Sequence, residues 1–150
     1  MIVIGIDPDC QKHGVAYYKN GKLISLDMKE TIHLVNDIKN QMADEELICA
    51  LEDVMSNKFV YKRNENKNKK IQSTIAMNTG RCQQAQVELQ RLFDYYKIPY
   101  VLYPPQRGNW AKQKEHFERV TGWNKRSNED SRSAAYFGYL AWGRYGALSQ

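Results

Sequence analysis

Apolar positions change their spacing several times along the chain, and each change marks an element. Met1-Ile2-Val3-Ile4-Gly5-Ile6 is a continuous apolar, β-branched run that stops at Asp7-Pro8, the composition of a strand covered on both faces. Residues 2–7, 14–19 and 22–27 read as three consecutive strands. Asn20-Gly21 joins the second to the third with the two positive-φ positions that a tight hairpin needs. From about Lys29 to Met42, Ile32, Val35 and Ile38 recur at a helical period, with Leu34 and Met42 beside them. Leu47-Ile48-Cys49-Ala50-Leu51 is a second buried-strand run, and it too ends in carboxylates, Glu52-Asp53.

A long helix is predicted over 72–96, with a stripe of Ile71, Ile75, Cys82, Leu89, Leu92, Phe93 and Tyr96. Positions 75, 82, 89 and 96 repeat every seven residues, which suits packing along the helix on a sheet or a partner helix. Gly80 inside it points to close approach of another backbone, or to a kink. Pro99 to Tyr103 reads as a strand closed by Pro104-Pro105, and Asn109 to Val120 as a short helix. The last helix runs from about Asn128, its candidate N-cap, to Tyr145, with Ser133, Ala134, Phe137, Ala141 and Tyr145 on one face. Strands alternating with helices make this an α/β chain. No repeat or linker divides it, so residues 1–150 are read as one domain.

Composition narrows the class. A hydrophobic content of 42% over 150 residues is that of an ordinary folded domain. No apolar run has the length a bilayer requires, and no leader-like segment opens the chain, so a cytoplasmic protein is expected. The three cysteines, Cys10, Cys49 and Cys82, form neither Cys-x-x-Cys nor a Cys/His cluster. That excludes a disulfide framework and a zinc site, and leaves Cys49 and Cys82 as buried thiols. The net charge of +5 is matched by one stretch, where Lys58, Lys62, Arg63, Lys67, Lys69 and Lys70 face only Glu65. Such a block is commonly a solvated loop. Interleaving with Phe59, Val60 and Tyr61 favours nucleic acid, since phosphates need cations and bases need flat faces.

The candidate chemistry lies in acids at the ends of buried elements: Asp7, Glu52, and the pair Glu129/Asp130 that opens the last helix. Each has an ordinary role as well, Asp7 in a turn, Glu52 at a strand end, Glu129 and Asp130 against a helix dipole. Gathered together, three carboxylates would repel unless a cation sat among them. Oxygen-only ligands select hard cations such as Mg²⁺, and phosphodiester hydrolysis by two metals needs such a set.

The blocks Ile4-Gly5-Ile6-Asp7-Pro8, Leu51-Glu52-Asp53-Val54, Thr79-Gly80-Arg81 and Asp130-Ser131-Arg132-Ser133-Ala134-Ala135 span nearly the whole chain. In order and approximate spacing they resemble a RuvC-type Holliday junction resolvase of the RNase H-like nuclease superfamily, and among these the shorter phage-like members. The resemblance implies a mixed five-stranded sheet flanked by helices, with the second strand antiparallel to its neighbours. It implies a homodimer that nicks two opposed strands of a four-way DNA junction, leaving 5′-phosphates. Two Mg²⁺ ions per site are implied, with Mn²⁺ able to substitute. Carried over, Asp7, Glu52 and Asp130 match catalytic metal ligands, and Glu129 is a candidate for an extra oxygen. Ser133 departs from the pattern, standing where better-known members place a second helical acid.

The resemblance also directs an aromatic side chain from the loop after Glu52 to the junction centre, with Phe59 and Tyr61 as candidates and Met55 behind them. Phe59 packing under its own loop is the plain alternative. Lys58, Lys62, Arg63, Lys67, Lys69, Lys70, Arg81, Lys112 and Arg126 are the candidate phosphate contacts, whereas Lys114 reads as a solvated charge. His13 reads as an exposed loop residue within reach of a phosphate, and His116 as a structural or surface residue. The stripe on helix 72–96 is the candidate dimer interface. Other readings are a nuclease for flaps, forks or RNA-containing substrates, and a catalytically silent junction-binding module. An actin-like nucleotide binder is disfavoured by the short chain and the lack of a Gly-rich phosphate loop.

Overall fold

The structure, a computed structural model, describes residues 1–56 and 68–146. Strands β1 (Ile2–Asp7), β2 (His13–Lys19), β3 (Lys22–Lys29), β4 (Leu47–Glu52) and β5 (Tyr100–Tyr103) form one mixed sheet in the order β3-β2-β1-β4-β5. β2 runs antiparallel to both β1 and β3, while β4 is parallel to β1 and to β5. The hairpin forms as its sequence directs, with Asn20 at φ 50° and Gly21 at φ 77°. Helices α1 (Thr31–Met42) and α2 (Lys69–Tyr96) are joined in chain order by α3 (Lys114–Thr121) and α4 (Glu129–Tyr145). Among the described residues no helix is long and apolar enough to cross a membrane.

Alternation along β1 divides the core. Ile2, Ile4 and Ile6 pack with Cys49 and Leu51 of β4, Leu34 and Ile38 of α1, and Leu89 and Phe93 of α2. Val3 faces the opposite side, with Ala16 and Tyr18 of β2, Ala50 of β4 and the α4 residues Ala134, Phe137 and Ala141. Gly5 and Asp7 share the side of Val3, because side chains two apart on a strand point the same way. A Cβ on Gly5 would sit 2.7 Å from the Gly138 nitrogen and closer still to the Ala134 carbonyl, so α4 crosses β1 at backbone contact. Tyr18 fastens that crossing by donating to the Ala135 carbonyl at 2.7 Å.

Four expectations change. β3 continues to Lys29, so α1 starts at Thr31, and α2 starts at Lys69 because the Asn68 side chain caps it by accepting from the Ile71 amide. Residues 109–113 are loop, not helix: Asn109 turns its side-chain oxygen to the Ala111 amide, an alternative to helical pairing. On α2, Leu89 and Phe93 are wholly buried inside the subunit while Ile71 and Tyr96 are exposed, so the stripe does not form one continuous external face. At Gly80 an added Cβ would meet nothing within 4 Å among the described residues, so no backbone approaches there.

Candidate active site

Strand register brings the first two acids together. β1 and β4 are parallel and paired through Ile6–Leu51, and one residue further each strand ends in its carboxylate. Glu52 shares the sheet face of Ala50, which is the face under α4. The third acid arrives through an absence. Gly14 is the β2 partner of Asp7, and a Cβ on it would stand 2.6 Å from the Asp130 carbonyl carbon and 3.1 Å from the Ser131 nitrogen. The bare backbone therefore lets the first turn of α4 settle directly over the end of β1. A capping box fixes that turn: the Ser131 amide donates to Asn128 Oδ1 at 2.7 Å, and the Asn128 amide to Ser131 Oγ at 2.9 Å.

The charges of this cluster are unrelieved. Burial, and then the charge of Glu52, push Asp7 well above the ordinary carboxylate range, with Asp130 adding to the rise. Glu52 is raised by burial and by Asp130, and Asp130 by burial and then by Asp9 and Glu129. The side chains of Asp7 and Glu52 interact directly, which raises Asp7 further and draws Glu52 down against the larger effect of its burial. Among the described residues no three of His, Cys, Asp or Glu stand close enough to chelate an ion as they are. The donor set nevertheless fits a hard divalent cation, being all oxygen and holding protons where an adjacent positive charge would displace them.

Ser133 occupies a defined place in this arrangement. Its hydroxyl hydrogen-bonds Asp7 and draws that acid's pKa down, against the larger effect of burial. Asn109 Nδ2 donates to Ser133 Oγ at 2.9 Å, while Asn109 Oδ1 is held by the Ala111 amide at 2.8 Å. Because the serine oxygen is the acceptor of that bond, its own proton is directed to Asp7. The loop that carries Asn109 is anchored twice. Trp110 is buried against Phe117, Tyr136 and Tyr139, and the buried Arg132 donates through Nε and Nη2 to the Ala111 carbonyl at 3.1 and 2.8 Å. Asn109 and Arg132 were not legible as site residues, since only the fold brings their loop and helix together.

Other candidates fall differently. Glu129 is exposed and acts on Asp130 through its charge. His13 is not an exposed loop residue; it is fully buried as the first residue of β2. Its Nδ1 accepts from the Asp9 amide at 3.0 Å, which leaves Nε2–H for Thr31 Oγ1 at 2.7 Å. Burial lowers its pKa to about 4, so it is a neutral clamp on the β1–β2 loop rather than a phosphate contact. Asp9, not singled out from sequence, is half-buried with Oδ1 4.0 Å from Cys82 Sγ, which places α2 beside the acids. Cys82 itself is half-buried, whereas Cys49 is wholly buried.

Arg81, Lys69, Lys70, Lys112 and Arg126 are exposed. Lys58, Phe59, Tyr61, Lys62, Arg63 and Lys67 lie outside the described residues. The turn that leads toward them, the 3-10 helix Val54–Ser56, is tied to α2 by the buried Gln86. That side chain accepts from the Met55 amide at 3.0 Å and donates to Asp53 Oδ1 at 2.9 Å.

No family model matches the chain, and no curated protein matches it in sequence. Solved structures do match. RuvC of T. thermophilus in complex with a Holliday junction substrate aligns with a TM-score of 0.61 at 15% identity, over 97% of this chain and 96% of that one. A second Thermus thermophilus RuvC structure aligns with a TM-score of 0.52 at 18% identity, over 97% of both chains. The expected α/β architecture is therefore borne out: a mixed five-stranded sheet flanked by four helices, in the RNase H-like, RuvC-like fold.

Proposed function

We propose that this protein is a Mg²⁺-dependent endonuclease for branched DNA, acting on four-way junctions by paired nicks, and that it is a shorter, phage-like relative of the RuvC resolvases. The observation that carries the reading is the approach of Asp7, Glu52 and Asp130 at the ends of β1 and β4 and the start of α4, each with its pKa raised by burial and then by the charge of neighbouring carboxylates. Asp7, Glu52 and Asp130 would hold the ion, the first two from the strand ends and Asp130 from α4. Mg²⁺ bound there would supply charge stabilisation for phosphodiester hydrolysis. The chain's own residues orient the acids. Ser133 and Asn109 fix one face of Asp7, and the Gly14 contact sets the height of Asp130.

Paired cuts on a near-symmetric junction call for two sites, which a twofold dimer provides. Its candidate surface is the hollow of about 330 Å³ between α1 and α2, where Ile32 and Tyr96 are 72% and 37% exposed, together with the adjacent Tyr95, 77% exposed and edge-on to Tyr96. Ser133 in place of a further acid favours a second reading, a nuclease of broader branched-substrate range.

The experiment is cleavage of a labelled four-way junction beside a flap and a linear duplex, with Mg²⁺, by the native protein and by Asp7→Asn. Symmetric paired nicks on the junction, lost in the variant, are expected. Equal cutting of all branched substrates would replace the resolvase reading with the broader one. Tight binding without cleavage by either protein would leave only a junction-binding module.

A further inference from the structure

Two neighbouring hollows lie on the β2–β3 side of the acids, the first of them lined by Asp130. One, of about 630 Å³, is lined by Asp9, Lys12, Met28, Glu30 and Asp130 among others. The next, of about 510 Å³, has Lys12 and Met28 in common with it and ends at Arg126 and the start of α4. Lys12 shares its hollow with three carboxylates yet forms an ion pair with none of them. Arg126 likewise has no ion pair among the described residues. The polar groups around Arg126 are already committed: Ser127 Oγ accepts from Arg132, Asn128 and Ser131 close the capping box, and the carboxylate of Asp27, which also lines this hollow, accepts from the Met28 amide and faces Lys29 Nζ at 3.9 Å. The attraction of this trough for an anion therefore rests on two uncommitted cations, arranged in the order acids, Lys12, Arg126.

A DNA strand passing over the acids carries a charge at every nucleotide, and the same acids repel it as it leaves. On the β4 side the chain leads through the Val54–Ser56 turn into the basic stretch. On the β2–β3 side the trough supplies cations of its own. We propose that the trough seats the strand flanking the scissile phosphate, with Lys12 holding the first phosphodiester beyond the acids and Arg126 the following one. The assignment rests on the endonuclease reading above and adds a strand path to it. Arg126 enters as a general phosphate contact from sequence; Lys12 and the direction of the path come from the shared hollows.

The test uses a synthetic four-way junction in which single phosphates flanking the cut are replaced, one at a time, by neutral methylphosphonates. Native protein is compared with Lys12→Gln/Arg126→Gln. Both side chains are exposed, so the variant is expected to melt with the native protein. In metal-free buffer, the slope of log affinity against log salt should fall by about two for the two lost phosphate contacts. Neutral linkages on one side of the cut should weaken native binding several-fold and leave the variant indifferent, as a shared contact requires. An unchanged salt slope with the same linkage profile in both proteins would overturn the trough while leaving the nuclease reading intact. A native protein that neither binds nor cuts the junction would remove both.

Discussion

Replacing Gly14 by alanine adds one methyl group between β2 and α4, and the structure fixes what that methyl meets. It would stand 2.6 Å from the Asp130 carbonyl carbon, against the 3.4 Å at which ordinary contact begins, and the obstructing atoms are backbone. The Asp130 carbonyl oxygen lies nearer still, so the first turn of α4 must then retreat by about 1 Å to restore ordinary contact. Overpacking of this kind costs about 1–3 kcal/mol. A displacement near 1 Å of a reacting group costs roughly 100-fold in rate. Gly14→Ala is therefore expected to fold, to lose about 1–3 kcal/mol in urea unfolding, and to cut a junction about 100-fold more slowly at saturating substrate. Gly80→Ala is the matched control. Among the described residues nothing lies within 4 Å of its added Cβ, and it sits inside α2, so it should gain about 1 kcal/mol and cleave normally. Native cleavage by Gly14→Ala, with the expected stability loss, would refute the claim that this close approach sets the position of Asp130.

Three further outcomes follow from the same structure. The folded pKa values of Asp7 and Glu52 lie above their ordinary values, so folding holds their protons more tightly than the unfolded chain does. Without metal, stability should fall as pH rises from about 4 through that elevated range; Mg²⁺ should offset the loss and Asp7→Asn should reduce it to the part carried by Glu52, as read by thermal melting across pH. Leu89→Glu should unfold the subunit, because Leu89 is wholly buried, whereas Tyr95→Glu at a 77% exposed position should keep the fold; light scattering that shows a monomer only for Tyr95→Glu would support the α1–α2 surface. Ser133→Ala removes the donor to Asp7, and Asn109→Ala should reproduce its phenotype through that serine. Both should raise the Mg²⁺ concentration needed for half-maximal cleavage with little change in melting temperature, and dissimilar metal dependences would break the proposed chain from Asn109 to Asp7.

Much of the fold was readable because its signals are local. The β-branched runs that end in Asp7 and Glu52, the Asn20-Gly21 turn and the Asn128 cap each depend on residues within a few positions of one another. The first two candidate acids were readable for the same reason, since parallel strands that stop at equivalent places put their last residues side by side. What escaped depends on burial or on distant partners. His13 looks like a loop residue until β2 is seen to begin on it, and Leu89 belongs to a heptad-like series whose other members face different surroundings. Asn109 reads as helix former or loop with equal ease, and only contact with Ser133, 24 positions away, gives it a role. Gly14 carried no signal beyond strand weakness, although it sets where α4 rests.

The seating of α4 is a constraint of omission. At Gly5 and Gly14 the helix requires only that no Cβ be present, and what it touches there is backbone. Residue-by-residue similarity scores reward side chains that are kept and give little weight to one that must be missing. A scaffold held in this way can exchange most of its outer side chains while the heights of its acids stay fixed. This chain, which no family model matches, aligns over 97% of its length with structures at 15–18% identity.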